Sequence, residues 1–266
     1  MKLNLSKRTL TASIGIPLSI IIIYYTNYLT FYLFLEIVIY LSLYEFTVML
    51  NMKNIKYLKM PLIFFPLFLP WVIESGNINM LIALLIIILF VLLIIKLFLD
   101  EPLESTFESI GATLLALFYA PFLLSFMLPL KIINTHYIFF ILFVIWFADS
   151  FAYIFGSLYG KKKLYEKISP KKTWLGFYAS FIGGFLCAFL YNYMFLKLEY
   201  FELFCFSFII ILFGALGDLT ESMFKRYCGI KDSGKLFPGH GGILDRVDSL
   251  LFAFPISYIF IVFRLI

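Results

Sequence analysis

Apolar runs of roughly the length a helix needs to cross a bilayer, about 20 residues, follow one another along nearly the whole 266-residue chain. Nine segments fit that ruler: 10–27, 30–50, 60–73, 79–99, 107–129, 136–157, 174–196, 201–220 and 248–265. The third is short, and Pro61, Pro66 and Pro70 within it predict a kinked or irregular helix. Hydrophobic residues make up 63% of the chain and charged ones 14%, against roughly 45–50% and about 25% in soluble domains. One soluble core cannot hide that much apolar surface, so the excess must face lipid. The fold expected is an all-α, polytopic membrane bundle of about nine helices.

The N-terminal MKLNLSKRTL is basic and leads into an apolar stretch without a clear small-x-small cleavage site, so 10–27 reads as an uncleaved first helix. With the N-terminus placed in the cytoplasm, 18 of the 21 Lys and Arg residues fall on the cytoplasmic side, and only Lys131, Lys197 and Arg264 fall outside. That satisfies the positive-inside rule for an inner-membrane protein of bacterial type. The net charge of +5 is accounted for by anionic lipid at that surface and requires no nucleic acid. Cys187, Cys205 and Cys228 include no CxxC pair, which argues against a disulfide framework or a structural zinc site. The 21% aromatic content reads as interfacial belts and core, not as a ligand box.

Polar residues are distributed unevenly. Residues 1–135 read as plain membrane helices. Residues 136–266 carry two polar loops, 158–173 and 221–247, both cytoplasmic by the charge count. The second loop and its flanks hold Asp218, Glu221, Lys225, Arg226, Lys231, Asp232, Lys235, Asp245, Arg246 and Asp248. Asp218 follows the apolar ILFGALG, where a carboxylate is costly and takes a cationic or metallic partner. Asp245 and Asp248 are three apart at the start of the last span, on one helix face. Their repulsion is relieved by a cation between them. Oxygen ligands suit Mg²⁺, with helix capping as the alternative. The glycines of PGHGG at 238–242 allow backbone N–H groups near an anion at a helix start, although such turns are also common connectors. Lys225 and Arg226 suit phosphate charge, or plain interfacial anchoring.

In the first loop, Asp149 sits at the inner part of the sixth span. Lys161, Lys162, Lys163, Lys167, Lys171 and Lys172 follow, with Ser169-Pro170 as a turn and Thr173 as a helix cap. By itself the lysine cluster fits acidic headgroups as well as a nucleotide triphosphate.

Taken together, Ser222-Met-Phe-Lys225-Arg226, Lys231-Asp232, Pro238-Gly-His240-Gly241-Gly242 and Asp245-Arg246-Val-Asp248 resemble the signature of the phosphatidate cytidylyltransferases, or CDP-diacylglycerol synthases. Asp149, Ala152, Tyr153, Gly156 and Ser169 to Trp174 are similar to a second stretch of that family; Leu175 stands where members often carry Glu or Gln. The resemblance is strong over about 145–250. It implies transfer of CMP from CTP to phosphatidic acid, giving CDP-diacylglycerol and pyrophosphate, with the lipid phosphate as nucleophile. It further implies Mg²⁺ on Asp218, Asp245 and Asp248, with a second cation left open, and Lys225 as a fourth catalytic residue. Substrate contacts would come from Ser169, Lys171, Lys172, Thr173, Arg226, Lys231, Asp232, His240, Gly241, Gly242 and Arg246.

Three other readings compete. A CDP-alcohol phosphotransferase needs carboxylates four apart, and those here are three apart. A CTP-dependent lipid kinase shares the membrane setting but not the full Asp245–Asp248 signature. An ion-coupled transporter would use Glu36, Glu45, Asp149 and Asp218, but no paired repeat of broken helices is visible. Oligomeric state, including a homodimer, stays open.

Overall fold

The computed structural model describes residues 15, 17–100, 102–234, 236 and 241–265. Residues 17–25 are helical (α1). Then follow α2 (Tyr28–Met52), α3 (Lys59–Phe64), α4 (Leu69–Glu74), α5 (Ile78–Phe98), α6 (Thr106–Leu117), α7 (Leu123–Ser125) and α8 (Met127–Tyr159). A short antiparallel hairpin, β1 (Lys163–Tyr165) and β2 (Ser169–Thr173), precedes α9 (Trp174–Tyr191), α10 (Tyr200–Cys228) and α11 (Leu244–Leu265).

Among the described residues, six helical stretches are long and apolar enough to cross a membrane: Tyr28–Met52, Ile78–Phe98, Leu103–Tyr159, Trp174–Leu196, Tyr200–Cys228 and Leu244–Arg264. The all-α membrane bundle stands; the count of about nine does not follow from these helices, for three reasons. The expected first span, 10–27, lies partly outside the described residues. The proline-bearing third breaks into α3, a 3₁₀ turn over Phe65–Phe68, and α4. The fifth and sixth run into one stretch, Leu103–Tyr159, through a π-turn at Phe118–Phe122 that contains Pro121. Within α8 the break expected between those two spans is still present: Asn134 is extended (φ −168°, ψ 120°). Its side chain accepts from His136 N at 2.9 Å, which is how a helix restarts.

The chain folds as two compact units, Met1–Pro129 with Cys228–Arg246, and Leu130–Tyr227 with Val247–Ile266. In the first unit, one face of α2 buries Phe31, Leu35, Ile39, Phe46 and Met49. Tyr40 Oη donates to Ile63 O at 2.5 Å, and Tyr32 Oη donates to Leu67 O. These phenols thus satisfy carbonyls of the segment where prolines remove backbone donors. In the second unit α9 is thin. A Cβ at Gly183 would lie 2.4 Å from the Phe151 ring, and one at Gly184 would lie 2.4 Å from Ile211 Cδ1. Small residues let α9 approach α8 and α10 closely, as membrane helices require. Phe206 stacks on Phe140 and Phe260 at 5.2 and 4.9 Å between centroids, filling the core below.

Candidate functional site

In the second unit the polar residues come together where α8, the hairpin, α10 and the start of α11 meet. Lys172, on β2, pairs with Asp218 on α10 (Nζ–Oδ2 2.5 Å), both about a quarter exposed. One helical turn on, Ser222 Oγ donates to Asp218 Oδ1 at 3.3 Å. The wholly buried Glu221 accepts from Lys225, itself buried. Asp248 on α11 lies within electrostatic reach of Asp218, Glu221 and Asp149, and Asp149 within reach of Asp218 and Lys172. Four carboxylates therefore share one neighbourhood, in which two lysines are paired.

Glycine makes the close approach possible. A Cβ at Gly217 would lie 2.5 Å from Asp248 O and 3.3 Å from Ser249 Cα, so α10 and α11 meet backbone to backbone. Gly217→Ala is expected to lower stability by about 1–3 kcal/mol through overpacking. A fall in the thermal midpoint of detergent-solubilised protein would show it; an unchanged midpoint would mean that the two helices can separate freely.

The hairpin is seated in the same way. A Cβ at Gly160 would meet Thr173 Oγ1 at 2.3 Å, and one at Gly176 would meet Ala152 O at 2.7 Å. Thr173 caps α9, accepting from Gly176 N at 3.1 Å, as its sequence position suggested. Arg226 Nε donates to Ile168 O at 3.1 Å, tying the hairpin to α10. Ser169 is half-buried on β2, and Lys171 is exposed beside it.

The first unit holds the other half of the motif. Asp245 Oδ2 accepts from Ser233 N (2.8 Å), Ser233 Oγ (3.0 Å) and Gly242 N (2.8 Å). Gly241 has φ +85°, and a Cβ there would strike Asp245 Oδ2 at 2.3 Å. Glycine is needed at 241 on both counts. Glu45, buried on α2, accepts from Ser233 Oγ at 2.8 Å and from the backbone of Ile243 and Leu244, each at 2.9 Å. Sequence reasoning left Glu45 without a role in the enzyme reading; its only signal was a carboxylate in an apolar run. Lys231, Asp232 and Arg246 are exposed. His240 lies outside the described residues, so no contact is assigned to it.

The backbone of the Gly-rich turn, expected to face a phosphate, thus donates from Gly242 to a carboxylate of the chain itself. Carboxylate donors suit a hard divalent cation, and the four clustered carboxylates, Asp149, Asp218, Glu221 and Asp248, outnumber the two lysines paired with them. Among the described residues, however, no group of three or more His, Cys, Asp and Glu is disposed to hold a metal ion. The donor chemistry fits the ion; an assembled three-carboxylate cage is not present.

These features define a polytopic helical membrane protein with clustered acidic and basic side chains. The chain belongs to the cytidylyltransferase family, which matches residues 6–264. It is similar to proteins named phosphatidate cytidylyltransferase in Staphylococcus. It is 45% identical to that of Staphylococcus haemolyticus over 105 residues, 38% of this chain and 39% of the relative. It is 46% identical to that of Staphylococcus aureus over the same length and shares. It is 37% identical to that of Staphylococcus saprophyticus over 132 residues, 48% of this chain and 49% of the relative. The matches thus span two fifths to a half of these curated relatives.

Proposed function

We propose that this protein transfers CMP from CTP to phosphatidic acid, forming CDP-diacylglycerol and pyrophosphate. The observation that carries the proposal is the cluster of Asp149, Lys172, Asp218 and Asp248 within one unit, in a chain of the cytidylyltransferase family. Relatives named for this reaction support it.

A phosphatidate oxygen, already anionic at neutral pH, attacks the α-phosphorus of CTP. The new P–O bond forms as the bond to the bridging oxygen of pyrophosphate breaks, and no protein nucleophile is required. Catalysis then rests on placement and charge. Lys172, held by Asp218, presents an ammonium to the phosphates, and the exposed Lys171 adds a second. Arg226 fixes the hairpin bearing both lysines, and Ser169 and Thr173 fix its edge. Asp218 and Asp248 would hold Mg²⁺, which when bound supplies neutralisation of the triphosphate. Asp245, the third ligand expected from sequence, is assigned the ordering of residues 233 and 242. Lys225 is assigned to holding Glu221.

The nine-span path and the cytoplasmic N-terminus belong to the same proposal, because they place both polar loops on the side where CTP is found. Cysteine-accessibility mapping of residues 161 and 231 would test the topology.

The deciding experiment is pyrophosphate release by purified protein given CTP, dioleoyl phosphatidic acid and Mg²⁺. Release requiring all three, with CDP-diacylglycerol as the lipid product, is expected. Phosphorylation of a lipid alcohol by CTP instead would replace the reading with a CTP-dependent kinase.

A further inference from the structure

Two carboxylates of the first unit, Glu45 and Asp245, divide one set of donors between them. Glu45 Oε1 takes the N–H of Ile243, and Oε2 takes those of Leu244 and the Ser233 hydroxyl. Asp245 Oδ2 takes the N–H groups of Ser233 and Gly242. The donors at the start of α11 are thus spent within the chain, and they are groups that would otherwise attract an anion. The surroundings are shaped around Glu45 in particular. A Cβ at Gly234 would lie 2.4 Å from Oε1, and one at Gly242 would lie 2.0 Å from Oε2. Glycine at both positions is what lets a carboxylate from a helix nearly 200 residues earlier in the chain reach this backbone. Desolvating a carboxylate on a membrane helix is expensive; here charge-assisted hydrogen bonds compensate.

We propose that Glu45 is a positioning residue for the transfer reaction, clamping residues 233–234 and 242–244 so that α11 begins in one register and presents the carboxylates at its first turns. The inference rests on the function proposed above but goes beyond it, since both oxygens of Glu45 are engaged by donors of the chain itself and Glu45 lies outside every motif of the polar loops. The same geometry assigns the α11 N-terminus to Glu45 and not to a substrate phosphate.

Gln is a poor substitute for this Glu. Its amide nitrogen cannot accept, so either orientation leaves an N–H facing an N–H. Glu45→Gln is expected to lower kcat about 10²-fold, the scale set by misplacement of reacting groups, with the KM for phosphatidic acid unchanged. Hydrogen exchange at the amides of Gly242, Ile243 and Leu244 should rise at the same time, while those in the middle of α2 and α11 stay protected. Ser233→Ala should cost about 5-fold, and the double variant should be no worse than Glu45→Gln alone, because both act through one clamp.

Full kcat in Glu45→Gln with those three amides deprotected would overturn the positioning role. Additive losses in the double variant would overturn the shared clamp. Should Glu45→Gln fail to fold, the Ser233→Ala protein carries the same comparison of exchange and kcat, with unchanged kcat overturning the proposal. If the unaltered protein makes no CDP-diacylglycerol, the proposed function fails, and the exchange pattern alone still decides whether the clamp exists.

Discussion

Asp248→Asn is expected to reduce CDP-diacylglycerol formation by about 10²–10³-fold, the cost of removing one preorganised electrostatic group, in a protein at least as stable as the original. The two signs differ because the substitution acts on two separate balances. Asp248 stands within electrostatic reach of Asp218, Glu221 and Asp149, so removing its charge relieves repulsion among like groups. Its local hydrogen bond survives, since Oδ1 accepts from Ser249 N at 2.7 Å and an Asn oxygen serves equally well. A helix-capping Asp would tolerate Asn with little cost. Activity and thermal midpoint measured on the same preparation therefore separate the two roles. Lost activity with an unchanged or raised midpoint supports a charge that acts on the reaction; retained activity leaves Asp248 outside the reaction and moves the proposed cation site elsewhere.

How much of this was legible in the sequence depends on how far apart the partners are. Continuous apolar runs gave both ends of α2 and α5 and the starts of α9 and α10 to within two residues, because a membrane span is a local property of composition; α10 runs on to Cys228, past the expected end at 220. Thr173 as a cap was legible for the same reason: its partner, Gly176, is three residues away. The restart at Asn134 was visible as a gap between runs, but the stretch from Leu103 to Tyr159 closes over it. The hairpin was missed: Lys163 to Tyr165 looks like part of a charged loop, and the contact that ties the hairpin to α10, Arg226 Nε to Ile168 O, spans 58 residues. The role of Glu45 was beyond reach of any window, since its donors lie 188 to 199 residues away. The motif named the acidic residues but could not say which of their oxygens the fold itself engages. Asp245 Oδ2, for example, is engaged by Ser233 and Gly242, and the spacing of the motif gives no sign of the Ser233 contact.

Lys225 shows the same limit most sharply, and the second large effect falls on it. Sequence reasoning made it a phosphate-neutralising residue, but the structure buries it against the wholly buried Glu221 four residues earlier on α10. Taking away one partner of a buried ion pair costs about 3–5 kcal/mol, because the remaining charge keeps its desolvation cost and loses its compensation. Lys225→Met is therefore expected to destabilise the protein by that amount, which for many domains is a large share of the total. Lys225→Met combined with Glu221→Gln should recover most of it, since neither partner of the pair is then left charged and alone. Activity of the stable double variant decides the role. If it still converts CTP and phosphatidic acid at near the original rate, Lys225 serves to neutralise Glu221, and the phosphates are met by Lys172 and Lys171. If it is folded but inactive, the ammonium of Lys225 reaches the substrate during turnover, and the ion pair seen here must open for it to do so.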